Sequence, residues 1–236
     1  MRRLHLYAAL FGWRVHGGPF RGMRYVRDSV CSALAPKLLG AYELELNPWI
    51  EHLLAAAPPV VINIGAAEGY YAVGFARRCA KTRVVAFESD PLGRAMIAEL
   101  AARNGVTARI SIDASCTTEN LAAHLAGECA PLLIVDIEGG EIDLLDPAKL
   151  PALKRCPMLV ELHEEHQPAG EIIRQRFDAT HTVDECWSQP RRVRDLPVGL
   201  RGLAQIAGRS SFLSALSERR PGPMRWFLLE PKAIRR

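Results

Sequence analysis

Between residues 60 and 163, short β-branched runs alternate with longer helical patterns, and this alternation restricts the fold more than any other feature of the chain. The strand candidates are Val60–Ile64, Arg83–Glu88, Arg109–Asp113, Leu132–Asp136 and Met158–His163. Most are continuous apolar runs, the pattern of strands covered on both faces. The helices between them have readable ends. Asp90-Pro91 offers an N-cap and a first-turn proline, Asn104-Gly105 offers a stop, and Asn47-Pro48 opens a helix running through Leu54. Such alternation predicts an α/β fold with a doubly wound, parallel sheet. Ala179–Cys186 and Met224–Glu230 are candidates for a sixth and a seventh strand, with a helical piece near Leu203–Leu216 between them. The first fifty residues, with Gly17-Gly18-Pro19 and Gly22, read as an irregular cap on the sheet domain.

Composition narrows the class. A 49% hydrophobic share fills a large core and excludes an intrinsically disordered chain. No stretch approaches 18 uncharged apolar residues, so no spanning helix is expected; the charge-free run Leu53–Ala67 is broken by Pro58-Pro59. Arg2-Arg3 followed by Leu4–Trp13 imitates the front of a signal peptide, but His5 interrupts the apolar stretch and no cleavage site follows. The six cysteines are widely spaced and contain no Cys-x-x-Cys, the pattern of reduced, buried thiols, and the expected location is the cytoplasm. Charge is uneven. Residues 1–50 carry seven Lys/Arg against three Asp/Glu, residues 187–236 eleven against three, and residues 51–186 twelve against twenty. Basic ends around an acidic middle fit either a solvated surface or a face for an anionic substrate or nucleic acid. No aromatic-interleaved basic motif for stacking bases accompanies them.

In an open α/β sheet, ligands bind beyond the carboxyl ends of the strands. The first strand candidate ends in Asn63-Ile64-Gly65-Ala66-Ala67-Glu68-Gly69 and enters a helix, which suggests a nucleotide-type cofactor. Dinucleotide enzymes use Gly-x-Gly-x-x-Gly to seat a pyrophosphate. Here the second glycine is Ala67, and Glu68 places near the turn a carboxylate that would repel phosphate but suit a ligand with a positive centre, such as S-adenosylmethionine. Glu88, 19 residues after Gly69, is placed to accept from both ribose hydroxyls. Asp113 ends the third strand where an acid could accept from an adenine amino group, or else caps a turn. The fourth strand leads into Asp136-Ile137-Glu138-Gly139-Gly140-Glu141, and the fifth into Glu161-Leu162-His163-Glu164-Glu165-His166. Glu161 and His163 share a strand face. With Asp136 they make a set able to hold a divalent metal. Alternatively, His163 is a general base, its ordinary pKa of about 6.5 suiting proton removal near neutrality.

These same segments, Val61–Tyr71, Ala86-Phe87-Glu88, Ile134–Glu141 and Val160–His163, resemble the FkbM-type methyltransferases, class I enzymes dependent on S-adenosylmethionine, many of which methylate hydroxyl oxygens. The resemblance covers residues 60 to about 165, and Asp-x-Glu-Gly-x-Glu is its most specific part. It implies a Rossmann-like, seven-stranded, mostly parallel sheet with helices on both faces, closed by the hairpin of the sixth and seventh candidates. It divides the chain into an N-terminal cap or lid, 1–50, and a methyltransferase domain, 51–236, with 187–223 as a substrate-side insertion. It places the cofactor on Asn63, Gly65, Ala67, Glu68, Gly69, Tyr70 and Glu88, flanked by Ser89, Asp113, Ala114 and, from the lid element Pro36–Glu43, Tyr42. Asp136 would face the methyl-transfer site beside His163. Asn63 and Ala67 depart from the acid and glycine common in class I enzymes. The implied activity is methylation of a hydroxyl on a small molecule or glycan; the alternatives are an RNA methyltransferase and a non-catalytic nucleoside-binding module of the same fold.

Overall fold

The computed structural model describes residues 12–127, 129–164, 167–199, 201, 209–220 and 222–233. Most of the signal-like stretch, the residues Glu165 and His166, and residues 203–208 of the helical piece Leu203–Leu216 lie outside these described residues.

The strands are β1 (Val60–Ile64), β2 (Arg83–Phe87), β3 (Ile110–Asp113), β4 (Leu132–Val135), β5 (Met158–Leu162), β6 (His181–Trp187) and β7 (Arg225–Pro231). They form one sheet in the order β3-β2-β1-β4-β5-β7-β6. β1 to β5 pair in parallel, and β7 lies antiparallel between β5 and β6. The chain therefore reverses its direction of travel across the sheet between β1 and β4, which is the topological switch point.

Helices cover both faces: α1 (Leu34–Leu39), α2 (Asn47–Ala55), α3 (Tyr70–Arg78), α4 (Pro91–Asn104), α5 (Thr118–Leu125), α6 (Glu141–Leu144), α7 (Ala169–Phe177) and α8 (Arg209–Leu216). The caps of α4 work as its sequence implies. Asp90 accepts from the Leu92 N–H at 2.9 Å, and Gly105 takes the left-handed conformation that ends the helix. Strand residues alternate between two cores. Val61, Val84, Ile134, Leu159 and Trp226 face the side of α2, α3 and α4. Ile62, Phe87, Leu133, Val160 and Phe227 face α5, α6 and α7.

The N-terminal segment joins the first of these cores. Residues 13–25 fold back on themselves, with Val15 N–H donating to Met23 O at 2.9 Å and Tyr25 N–H to Trp13 O at 2.8 Å. Phe20, 1% exposed, lies flat on Gly74 of α3, where a Cβ would stand 2.6 Å from its ring. A fully buried phenyl ring contributes roughly 1.5–3 kcal/mol through lost water contact. All six cysteines are free. Cys79 and Cys156 are buried as expected, whereas Cys31 and Cys129 are exposed, a correction to the reading of uniformly buried thiols. No helix among the described residues is long and apolar enough to cross a membrane.

Candidate functional site

The switch point brings the ends of β1 and β4 into contact. Gly65 has φ +77°, and a Cβ there would fall 1.6 Å from the Asp136 carbonyl oxygen. Only glycine permits both the turn and the approach. The Asp136 N–H donates to Ile64 O at 2.9 Å, and the Gly65 and Ala66 N–H groups donate to Phe87 O at 3.0 and 2.9 Å. Three strand ends are thus tied together at the mouth of one cavity, lined by Lys37, Tyr42, Asn63, Asp136, Glu161 and Trp226 among others. Asn63 is 2% exposed; its amide donates to Ile134 O at 3.4 Å, while its Oδ1 is buried with no partner among the described residues.

On the β1–β3 side of the switch point Glu68 and Glu88 each accept hydrogen bonds from more than one donor. Glu88 accepts from the Ala67 N–H at 2.6 Å and the Asp90 N–H at 2.8 Å, packed beneath Gly93. Ala67 itself is held at φ +48°, in the left-handed region. Ser89, Asp113 and Ala114 are exposed beside it, and the Asp113 carbonyl accepts the Glu88 N–H at 3.0 Å. Glu68 differs from expectation. It is fully buried, bonded to Lys37 Nζ, Tyr25 OH (2.7 Å), Ser29 Oγ (2.7 Å) and Val30 N–H (3.3 Å). Its carboxylate therefore faces the N-terminal segment rather than a ligand's positive centre. Burial alone would raise its pKa, but the charge and hydrogen bond of Lys37 hold it below the usual range. Tyr70 packs edge-on against Phe20, Tyr25, Tyr42 and Tyr71 at the start of α3, its hydroxyl made harder to ionise by burial.

On the β4–β5 side acids crowd one another. His163 Nδ1 meets Glu141 at 2.8 Å, while its Nε2 lies 3.3 Å from Glu138 and 3.8 Å from Asp136. Burial pulls His163 down, but the hydrogen bond and charge of Glu141, with Asp136 and Glu161 behind, lift it to about 9. The acids around it therefore favour the protonated imidazole. Asp136 moves the other way: burial first, then the charge of Glu43, push it up to about 7 against the pull of His163. Its side chain is 38% exposed, so water tempers that shift. Glu161 is raised by burial and by Asp136, although Arg220 holds it at 2.6 Å and Trp226 Nε1 donates to it at 3.2 Å.

Arg220 was not evident from the sequence. Its guanidinium also reaches Glu43 and Glu218 and lies 5.1 Å from the Trp226 ring and 5.9 Å from Tyr42. Glu43 in turn accepts from Tyr71 OH. Lys37 Nζ sits 4.8 Å from the Tyr42 ring. The one signal for Arg220 was the basic pair Arg219-Arg220 in a segment that otherwise suggested no chemistry. Asp136, Glu161 and His163 each offer a donor atom, all within 4.8 Å of one another, the group among the described residues whose spacing suits a metal ion.

Solved structures share this architecture. A precorrin-6y C5,15-methyltransferase from Geobacter metallireducens superposes with a TM-score of 0.50 at 11% identity, over 80% of this chain and 91% of that one. The fold is Rossmann-like, with a seven-stranded, mostly parallel sheet. The O-methyltransferase from Bacillus cereus, solved with SAH, gives 0.49 at 11% identity over 76% and 78% of the two chains. The O-methyltransferase TomG from Streptomyces achromogenes, solved with SAM, gives 0.48 at 14% over 78% and 80%. No protein-family model and no curated protein matches the sequence.

Proposed function

We propose that the chain is an S-adenosylmethionine-dependent methyltransferase of FkbM type, acting on a hydroxyl oxygen of a small molecule or glycan. The observation that carries this reading is the buried, unpartnered Oδ1 of Asn63 beside the Gly65 turn, an acceptor waiting for a ligand donor at the switch point. The cavity at the strand ends is only about 40 Å³, so it would take no more than part of the methionine end. Gly69, Glu88, Ser89, Asp113 and Ala114 would hold the ribose and adenine, and Tyr42 and Tyr70 line the cavity at the methionine end. Both Glu88 oxygens keep a free lone pair beyond their backbone bonds. When bound, the cofactor supplies an electrophilic methyl on a cationic sulfur.

Asp136 is the base in this proposal: a carboxylate titrating near 7 is matched to taking the hydroxyl proton as the oxygen takes the methyl. His163 holds the positive charge that keeps Asp136, Glu138 and Glu141 together. Alignment of the two reactants supplies most of the acceleration. A second reading, favoured by their spacing, is that Asp136, Glu161 and His163 would hold a divalent cation. It would have to compete with Arg220 for Glu161, so stimulation by Mn²⁺ after chelation would establish it and chelator-resistant turnover would remove it. Calorimetric titration with S-adenosylmethionine, S-adenosylhomocysteine and NAD tests the main reading. Saturable binding of the first two alone supports it; binding of none turns the chain into a non-catalytic module.

A further inference from the structure

A second, larger cavity of about 480 Å³ opens on the far side of Arg220, lined by Gln189, Arg191, Ser217, Glu218, Arg219 and Arg220 among others. That size falls within the roughly 300–1,000 Å³ usual for small-molecule sites. We propose that it receives an oxyanionic group, a phosphate, sulfate or carboxylate, of the methyl acceptor, and that Arg219 is the residue that meets it.

Three guanidinium groups line this cavity, against the single carboxylate of Glu218. Glu218 is already committed: it accepts from Arg191, from Arg220 Nε at 2.9 Å and from the Glu43 N–H at 3.1 Å. The other acids that neutralise Arg191 and Arg220 are Glu45, Glu43 and Glu161, all buried behind them. Arg219 is left over. Its side chain is exposed and has no hydrogen bond or ion pair among the described residues. Its backbone stands at φ +58°, with its N–H on Ser217 Oγ at 3.2 Å. That turn sends two successive arginines apart, Arg220 inward onto Glu161 and Arg219 to the outer cavity. A left-handed non-glycine residue costs about 1–2 kcal/mol, so the turn is maintained against its own preference. A planar guanidinium with all its donors unengaged is suited to bidentate capture of an oxyanion.

Arg220 lines this cavity and bonds Glu161 of the strand-end cavity. A ligand anchored on Arg219 therefore lies one side chain from the acids around Asp136. The acceptor assignment rests on the methyltransferase reading above; the oxyanion site does not.

The test is calorimetric titration of the full chain with inorganic phosphate and with sulfate, for wild type and Arg219→Gln, alongside S-adenosylmethionine. The expected result is saturable oxyanion binding, at least tenfold weaker in Arg219→Gln, with cofactor affinity and unfolding midpoint unchanged. Absence of oxyanion binding in the wild type, or equal binding in the variant, overturns the proposal. A short single-stranded RNA that binds far more tightly than phosphate, with steep salt dependence, would make the surface a nucleic-acid contact and also overturn it. Oxyanion binding lost in Arg219→Gln by a chain that never binds S-adenosylmethionine sustains the cavity and overturns its role as an acceptor site.

Discussion

The two sides of the switch point use the same residue types to opposite electrostatic ends. Glu68 and Glu88, by β1 and β2, are each surrounded by hydrogen-bond donors, four around Glu68 and two backbone N–H groups on Glu88. Asp136 and Glu161, by β4 and β5, are instead pushed up by burial and by neighbouring acids, with His163 and Arg220 as the cations beside them. Donors stabilise a carboxylate and fix it; like charges destabilise it and make it hold a proton. One side is therefore built as a rigid floor, while on the other Asp136 and Glu161 are shifted toward their protonated forms.

Lys37→Met breaks the rigid side most severely. It leaves Glu68 as a buried charge without its cation and should cost about 3–5 kcal/mol in urea unfolding; an unchanged midpoint would mean that the pair does not hold the loop. Glu88→Ala tests the same side at the ligand. It should weaken S-adenosylmethionine binding by about 1–3 kcal/mol, and unaltered affinity would remove Glu88 from the site.

His163→Gln addresses the other side through pH. Folded His163 keeps its proton to about 9, against 6.5 when unperturbed, so the stability it adds is complete below pH 6.5 and is lost as pH rises to about 9. Asp136, raised from 3.8 to about 7, acts in the same direction at lower pH. Wild-type denaturation midpoints should fall from pH 6.5 to 9, and the variant should flatten that fall; a variant with the wild-type slope would place the titration elsewhere. The smallest effect belongs to Ala67→Gly, which relieves a left-handed alanine at φ +48° and should add up to about 1 kcal/mol. A loss of stability there would show that the loop gains more from restricting its unfolded chain than from relaxing its fold.

The rigid floor's backbone was legible because its signals are local. Continuous apolar runs marked β1 to β5 to within a residue at each end, and Gly65 and Glu88 directly follow β1 and β2 as the sequence implies. What escaped was set by distant neighbours. Glu68 looks like a ligand carboxylate until Lys37, Ser29 and Tyr25, up to 43 residues upstream, close on it. His163 looks like a base at its ordinary pKa until Glu141, 22 residues earlier, arrives at 2.8 Å. Arg220 reaches Glu161 across 59 residues from a segment with no periodicity to read. The β5–β7 register that sets Trp226 opposite Glu161 has no sequence signature either.

The position of β7 also shapes the order in which the chain can assemble. It is the last strand described, yet it sits between β5 and β6, which do not pair with each other. A chain emerging from the ribosome can finish β1 to β5 with the β5 edge still bare. It must then wait about sixty residues for the strand that covers that edge. Until then Glu161 lacks Trp226 and Arg220, and an unpaired edge is open to other chains. The acidic pocket is therefore the part of the molecule that matures last, and slow or interrupted synthesis past residue 187 is where aggregation would begin.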